Sequence, residues 1–139
     1  MKKKLQVFIS STYTDMLTER QAAVEAVLRA GHIPAGMELF AAGNESQWET
    51  IRRWIDDSDV FMLILGGRYG SIEPKSGKSY IAQEYEYAVK KKKPLFAAVI
   101  TDKNLNSKVK ESGLDAVEKT NGKLLQELKD TVTNCPGSA

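Results

Sequence analysis

The sequence predicts an α/β fold with a parallel β-sheet, and three observations lead to this prediction. Short apolar runs alternate with segments whose apolar residues recur at helical spacing. The run Val60–Leu65 is apolar throughout, as expected of a central strand that is buried on both faces. The chain has 139 residues, of which 42% are apolar and 27% charged, so it can form one globular domain with one core.

The first predicted unit is a strand followed by a helix. The apolar run Leu5–Ile9 leads into a polar loop at residues 10–12, which is typical of a buried strand. The helix begins near Asp15 and ends before Gly31, which lies just past its last apolar residue. The residues that share its apolar face, and that we expect to be buried, are Leu17, Val24, Val27 and Leu28.

The next unit repeats this order and leads into the central strand. Ile33–Phe40 is a second extended segment, and Pro34 near its start suits the end of a strand. A capping box at residues 46–49 begins a second helix, and a turn at residues 56–59 follows it. The apolar stripe of this helix consists of Trp48, Ile51 and Ile55.

The second half of the chain adds a long loop, a fourth strand and two helices. Gly66–Gly77 contains four glycines and a proline, and long loops in compact domains tend to be functional. Ser79 caps the third helix, Pro94–Ile100 is the fourth strand, and Gly122–Val132 is a helix near the C-terminus. The buried face of the third helix consists of Ile81, Tyr85 and Ala88.

The order of these elements favours a flavodoxin-like sheet with strand order 2-1-3-4 and helices on both faces. A C-terminal helix with no strand after it suggests that a fifth strand, or a downstream partner, is missing. We therefore interpret residues 1–139 as a single domain with a core at residues 5–100. Residues 101–139 form a helical C-terminal extension, truncated from a longer protein.

Composition argues against several classes of protein. The single cysteine, Cys135, cannot form an internal disulfide, and without an export signal it favours the cytoplasm. His32 is the single histidine, so a zinc site built from Cys and His is not expected, and we predict no metal. The longest unbroken run of large apolar residues, Val60–Leu65, is far shorter than the ~20 residues of a membrane-spanning helix, so no membrane partner is expected.

The net charge of +2 does not indicate a nucleic-acid partner. Two clusters, Lys2–Lys4 and Lys90–Lys93, supply the basicity, and the rest of the chain is net negative. No aromatic residues are interleaved with these lysines, as single-strand binding would require. Lys90–Lys93 suits the C-terminal end of a helix, where cations complement the helix dipole.

The predicted topology gathers candidate site residues at one edge of the sheet. In open parallel sheets, ligands bind beyond the carboxyl ends of the strands where the strand order reverses, here between strands 1 and 3. Glu84 is the candidate carboxylate of the third helix at this edge, and we expect it to lie outside the core beside Tyr80 and Tyr87, which raise its pKa modestly. The candidate substrate-binding residues are Ser10, Ser11, Thr12, Glu38, Phe40, Gly66, Arg68, Tyr69 and Tyr80.

These residues also have structural interpretations. Residues 10–12 suit the capping of the first helix as well as ligand contact, and the glycines after strand 3 can simply turn the chain. Their spacing matches neither a Walker loop nor GxGxxG, so a standard phosphate cradle is not predicted. Arg68 can form a surface ion pair with Glu73, and Glu84 can be a solvated or paired helix residue.

Several segments together resemble the DUF4062 family, a TIR-like α/β domain. The resemblance covers about residues 5–100 in matching order and spacing. Members of this family commonly carry the domain at the N-terminus of larger signal-transduction proteins with NTPase and repeat regions, so the resemblance implies downstream domains as partners. The segments that carry it are Val7–Met16 with Glu19 and Arg20, Gly36–Phe40, Ser58–Val60, Gly66–Ile72, Gly77–Tyr80 and Glu84–Ala88.

The resemblance also implies a type of chemistry. TIR domains that cleave NAD use a glutamate early in the third helix, in an aromatic-x-x-x-Glu pattern to which Tyr80–Glu84 is similar. Nucleoside deoxyribosyltransferases have an alanine four residues after their glutamate, as Glu84 and Ala88 do. Both break an N-glycosidic bond, which needs a carboxylate to stabilise an oxocarbenium-like centre. Ile81 and Ala82 stand where the DUF4062 family more usually has Thr and Glu.

Two classes of function remain open. As an enzyme, the domain would cleave the N-glycosidic bond of NAD or a related nucleotide, with Glu84 at the ribose, Arg68 at the phosphates, and self-association for activity. The nucleotide is then a substrate, and no cofactor is predicted. As a non-catalytic module, the domain would bind proteins through residues 43–47 and the third helix, or sense a nucleotide without turnover. A protein-interaction module alone predicts that the pocket residues are dispensable.

Overall fold

Strands and helices alternate along the chain up to the fourth strand. The computed structural model describes residues 3–12, 15–36, 47–73, 75–118 and 120–134. The strands are β1 (Gln6–Ser11), β2 (Ile33–Ala35), β3 (Val60–Leu65) and β4 (Leu95–Val99). The helices are α1 (Leu17–Arg29), α2 (Gln47–Asp57), α3 (Tyr80–Lys90), α4 (Asp102–Ser112) and α5 (Gly122–Thr133), with a short 3₁₀ helix at Gly113–Ala116 between α4 and α5.

The four strands form one parallel sheet in the order β2-β1-β3-β4. This confirms the predicted class, strand order and central position of Val60–Leu65. Register between the two central strands pairs Val7 with Val60 and Phe8 with Phe61. The rings of Phe8 and Phe61 stack with centroids 5.7 Å apart, which holds these strands together on one face of the sheet.

Helices cover both faces of the sheet, and each face has its own apolar cluster. The larger cluster packs α2, α3 and α5 against the face that carries Phe8 and Leu63. The smaller cluster packs α1 against the opposite face, which carries Val7, Ile9 and Ile64. Because side chains alternate along a strand, Ser10 lies on the larger-cluster face and Ser11 on the α1 face. Two consecutive hydroxyls thus point to opposite sides of the sheet.

The predicted buried face of α1 is partly wrong. Leu17 and Leu28 are 40% and 57% exposed, whereas Met16, Arg20 and Val27 are buried. The buried stripe of α1 consists of residues 16, 20 and 27. Two half-buried residues of the same helix, Ala23 and Val24, pack beside them in the smaller cluster. An arginine therefore occupies a position on the apolar face that the hydropathy pattern alone assigns to the solvent side.

Two further differences concern the ends of elements. Strand β2 ends at Ala35, and residues 37–40 of the predicted second strand lie outside the described residues, as does the first part of the predicted capping box at residues 46–49. Helix α4 was not predicted, since its surface is mostly polar, although Thr101 caps it by accepting from the Asn104 amide at 3.2 Å. No helix among the described residues is long and apolar enough to cross a bilayer.

Candidate functional site

The carboxyl ends of β1 and β3 meet where the strand order reverses, and polar residues are buried there. Ser10, Ser11 and Thr12 are 1%, 4% and 8% exposed. Buried hydroxyls at the end of a strand need hydrogen-bond partners, and α1 and α3 supply partners for Ser10 and Ser11. The geometry of these partners defines the candidate site.

Glu84 lies in the second turn of α3 and is hydrogen-bonded to β1. Ser79 caps the helix by accepting from the Ala82 amide at 3.1 Å, and this cap fixes the start of α3 beside the sheet. The Ser10 hydroxyl donates to Glu84 Oε1 at 2.6 Å. The Glu84 side chain is 1% exposed, and its Oε2 is buried and accepts no hydrogen bond from the residues that the structure describes.

The position of Glu84 differs from the expected one. It lies inside the protein on the sheet side of α3, while the Tyr87 hydroxyl donates to Asp56 of α2 at 2.6 Å and its ring packs edge-on against Trp48. Burial raises the pKa of Glu84 to about 7, and the Ser10 hydrogen bond and the Arg20 charge oppose this rise. Desolvation by burial therefore dominates the electrostatics of this carboxyl group.

Arg20 is the second buried charge of the site. It is 3% exposed, and its Nη1 donates to the Ser11 hydroxyl at 3.0 Å, on the opposite side of β1 from Glu84. The Ser11 hydroxyl in turn donates to the Thr12 carbonyl at 2.9 Å. The guanidinium fills the space above Gly36, where a Cβ would collide with Nη2. Glycine is needed at position 36 because the arginine lies against the backbone.

Asp15 lies at the start of α1, close to the end of β3. Burial raises its pKa, while the nearby Thr12 hydroxyl and the positive charges of Arg68 and Lys108 act in the lowering direction. Gly66, which directly follows β3, lies close to Asp15, since a Cβ at position 66 would be 3.1 Å from Asp15 Oδ2. Arg68 is therefore associated electrostatically with Asp15, and Glu73 is instead hydrogen-bonded to Ser76 and Gln83.

A latch formed by Glu118 holds the loop that carries Arg68. The Glu118 amide donates to the Gly67 carbonyl at 2.7 Å, and the Tyr69 amide donates to Glu118 Oε1 at 2.7 Å. The other carboxylate oxygen accepts from the amide of Asn121 at 3.2 Å. Burial alone would raise the pKa of Glu118, but these backbone hydrogen bonds lower it. Both neighbours of Arg68 are thus tied to a residue about fifty positions away in the sequence.

The structure brings some of the proposed site residues together and separates others. Ser10 and Glu84 are in direct contact, and Arg68 is half-buried near Asp15. The Tyr69 ring is 3% exposed within the larger apolar cluster, and Tyr80 packs against the same cluster, which favours their structural interpretations. The remaining proposed residues lie either in the strand ends described above or outside the described residues: Ser11, Thr12 and Gly66 in the first group, Glu38 and Phe40 in the second.

Sequence reasoning missed four charged residues of this region: Asp15, Arg20, Lys108 and Glu118. A signal existed for Arg20, which lies four residues after Met16 and seven before Val27 on the inward stripe of α1. An arginine at such a position must find buried acceptors. Lys108 and Glu118 carry no local signal, because their partners lie far away in the chain.

The described residues contain no group of three or more His, Cys, Asp or Glu side chains that could hold a metal ion. His32 instead accepts a hydrogen bond from the Leu5 amide at 3.1 Å through Nδ1, which fixes the start of β1. Among the described residues, this edge of the sheet carries a buried carboxyl group, a hydroxyl and a guanidinium.

Comparison with solved structures identifies the class of fold. The TIR domains of the activated Roq1 resistosome, which directly recognizes the pathogen effector XopQ, match with a TM-score of 0.58 at 11% identity, covering 97% of this chain and 87% of that chain. A conserved protein from Enterococcus faecalis V583 matches with a TM-score of 0.54 at 13% identity, covering 93% and 99%. The chain has a TIR-like, flavodoxin-like α/β fold.

The family follows from the sequence. The model of DUF4062, a domain of unknown function, matches residues 6–135. The chain belongs to the DUF4062 family, which confirms the resemblance found in the sequence and extends it beyond residue 100. The comparison with curated proteins gives no match.

Proposed function

We propose that this domain is a TIR-like signalling module that cleaves the N-glycosidic bond of NAD or a related nucleotide when it is assembled with other copies. The observation that carries the proposal is the state of Glu84. It is a buried carboxyl group at the reversal point of the sheet, and its Oε2 accepts no hydrogen bond from the described residues. A pKa of about 7 keeps both protonation states accessible near neutral pH.

The chemistry needs one carboxylate near a ribose carbon. When the bond between ribose C1′ and the base nitrogen breaks, the electron pair leaves with the base and C1′ becomes oxocarbenium-like. Ionised Glu84 stabilises this positive centre, and water then adds to C1′ and releases a proton. The Ser10 hydroxyl at 2.6 Å holds Oε1 in place, so that Oε2 is the oxygen that would face the substrate once the strand ends have rearranged.

Two arginines have separate parts in this proposal. Arg20 is buried and fixed beneath the strand ends by Ser11, and its charge favours the ionised form of Glu84. It therefore acts as a positioning residue that tunes the carboxyl group. Arg68 lies on the loop held by Glu118, and we assign the substrate phosphates to it. Binding phosphate would require Arg68 to exchange its association with Asp15 for the ligand.

The burial of Glu84 supports a requirement for assembly. At 1% exposure, its carboxyl group is out of reach of a nucleotide in this conformation. Access requires a rearrangement at the strand ends, and packing between copies can supply the free energy for it. The isolated domain should thus have little activity. On the basis of the family resemblance, we further propose that this domain is part of a multidomain, NTPase-linked protein that acts in defence in the cytoplasm.

The test compares dilute chain with chain that is clustered on a multivalent scaffold through a C-terminal tag. Each is incubated with NAD, and released nicotinamide is quantified by chromatography. We expect release from the clustered chain only, and Glu84→Gln should reduce it at least ~100-fold. Glu86→Gln is the matched control on the same helix, because Glu86 is exposed and paired with Lys78 at 2.9 Å. Full activity of Glu84→Gln would refute the catalytic assignment.

A second candidate is a nucleotide sensor or protein-interaction module without turnover. The observation that favours it is again the Ser10–Glu84 contact, since a buried hydrogen-bonded carboxyl group also serves to hold α3 against β1. Ile81 and Ala82, at the positions where the family more usually has Thr and Glu, point in the same direction. Binding of NAD to the clustered chain without nicotinamide release identifies the sensor. Retention of partner binding by Glu84→Gln, in a chain that neither binds nor cleaves NAD, identifies the interaction module.

A further inference from the structure

The Ser10–Glu84 contact lies between β1 and α3, and its surroundings show from which side a substrate can reach it. On this face of β1 the residue before Ser10 is Phe8, and one turn further along α3 lies Ala88; both are fully buried. Because α3 connects two parallel strands, it runs back from the carboxyl edge of the sheet, so Phe8 and Ala88 both close the contact toward the strand starts. Helices α2 and α5 pack against the same face. The approach to Glu84 is therefore from the carboxyl edge.

Gly70 lies across this approach. A Cβ at position 70 would be 3.2 Å from Thr12 Cγ2 and 3.4 Å from Ile81 Cδ1. Thr12 is the next residue after Ser10 on this side of the chain, and Ile81 precedes Glu84 by about one helical turn. The backbone at Gly70 thus fills the gap between β1 and α3 directly above the contact. Its φ of +94° is a conformation that favours glycine.

The loop that carries Gly70, residues 67–72, is attached to the protein at both ends, and the two attachments differ. At one end, the Ser71 carbonyl accepts from the Tyr80 amide at the start of α3, at 3.0 Å. At the other end, the Glu118 latch binds Gly67 and Tyr69 and joins residues that are 49 positions apart. A movement of residue 118 therefore changes the second attachment and leaves the first in place.

The Glu118 end of the loop also carries the groups that keep it in place. The Tyr69 ring is 3% exposed within the larger apolar cluster, and Gly67 lies directly against the Ala116 carbonyl oxygen. Arg68, between them, is associated with Asp15 in this conformation. Movement of the loop away from the strand ends would separate Arg68 from Asp15, which phosphate binding by Arg68 also requires.

We infer that residues 67–72 form a lid over Glu84, that the Glu118 latch holds this lid shut, and that displacement of residue 118 opens it. Because Glu118 lies between the 3₁₀ helix and α5, the position of the C-terminal helices controls access to the site. With the lid shut, Gly70 separates Glu84 from solvent; with the lid open, the route is free and Arg68 can bind phosphate. The inference rests on the proposed function for the nucleotide that enters, whereas the lid itself is testable without it.

The test measures how fast a thiol at position 84 reacts in the folded chain. Glu84→Cys is made in a Cys135→Ser background, so that the chain has a single thiol, and its reaction with iodoacetamide is followed by mass spectrometry. Adding Glu118→Ala should speed the reaction on the order of 10-fold or more, because a hydrogen bond to a charged group is lost from the lid. Glu111→Ala, which removes an exposed glutamate of α4, is the matched control and should leave the rate unchanged. An unchanged rate with Glu118→Ala would overturn the inference.

Global unfolding also exposes position 84, and urea separates the two routes. Reaction through an open lid should depend little on low urea concentrations, whereas reaction through unfolding should rise steeply with urea. Val27→Ala provides the reference for unfolding, since it removes buried volume from the smaller cluster on the opposite face of the sheet and leaves the lid intact. A urea dependence of the Glu118→Ala rate as steep as that of Val27→Ala refutes the lid. If Glu84→Cys does not fold, Ser10→Cys gives the same readout from the other side of the contact.

The nicotinamide assay separates the lid from the proposed function. With Glu84 in place, the clustered Glu118→Ala chain should release nicotinamide faster than the clustered wild type. A faster thiol reaction without nicotinamide release from either chain supports the lid and refutes the proposed function. Nicotinamide release from both chains at the same rate, together with an unaltered thiol reaction, refutes the lid and supports the proposed function.

Discussion

Ionisation of Glu84 should make the domain less stable as the pH rises through neutrality. The pKa of this carboxyl group is about 7 in the folded chain, against an ordinary value of 4.5. Between these two values the folded state holds a proton that the unfolded state has released, so the free energy of unfolding falls as pH increases. At about 1.4 kcal/mol per pKa unit, the loss between pH ~4.5 and pH ~7 amounts to about 3 kcal/mol.

Glu84→Gln isolates this contribution, because the variant keeps the shape of the side chain and cannot ionise. The difference in unfolding free energy between variant and wild type should shift in favour of the variant by about 2–3 kcal/mol from pH 5 to pH 8. Other titrating groups, including Asp15, whose pKa is also raised, are present in both proteins and cancel. The sequence alone predicts a change of no more than about 1 kcal/mol, as for a site away from the core.

The assay is urea denaturation at pH 5, 6, 7 and 8 and constant ionic strength, followed by the fluorescence of Trp48 and Trp54. Glu86→Gln serves as the matched control on the same helix, and its difference from wild type should stay flat with pH. A difference for Glu84→Gln that is constant within about 0.5 kcal/mol across this range would refute the buried-carboxyl interpretation. So would titration of the Glu84 carboxyl carbon near its ordinary pKa in an NMR experiment.

Two further predictions concern the supports of the site. Glu118→Ala should lower the unfolding free energy by about 1–2 kcal/mol, because backbone hydrogen bonds are lost. The loss should diminish below pH 4, because the pKa of Glu118 is lowered in the folded chain and the stabilisation disappears as the carboxylate is protonated. The same cost at every pH argues against the latch. Gly36→Ala should lower the unfolding free energy by about 1–3 kcal/mol, because the new Cβ collides with the Arg20 guanidinium. In an Arg20→Ala background the same substitution should cost much less. Thermal or urea denaturation measures both effects, and equal costs in the two backgrounds contradict this packing.

The sheet was predictable because its signals are local. Val60–Leu65 is apolar at six successive positions, and its shortness and the glycines after it favour a strand covered on both faces. The helix at Gly122–Val132 was predicted almost to its boundaries, Gly122–Thr133, since Leu125, Leu128 and Val132 recur at helical spacing. Hydropathy predicts an element when the positions that it buries are apolar.

Helix α4 and the burial of α1 were harder to predict for the opposite reason. The α4 surface is mostly polar, and one of its residues, Lys108, contacts Asp15 and Glu19, which lie about ninety positions earlier. In α1, Arg20 takes an inward position that hydropathy assigns to solvent, because Ser11 lies opposite to receive it. Long-range polar contacts leave no periodic trace in a single sequence.

The sequence by itself determined the class of fold, the strand order and the family, because these follow from apolar periodicity and from motifs that are contiguous in the chain. It also placed Glu84 and Ser10 at the same edge of the sheet. Only the tertiary structure decided that Glu84 is buried, hydrogen-bonded and close to neutral pKa, and that Arg20 lies across β1 from it. Burial and pKa depend on what surrounds a side chain from several directions, and that enclosure exists only once α1, α3 and the sheet have packed together.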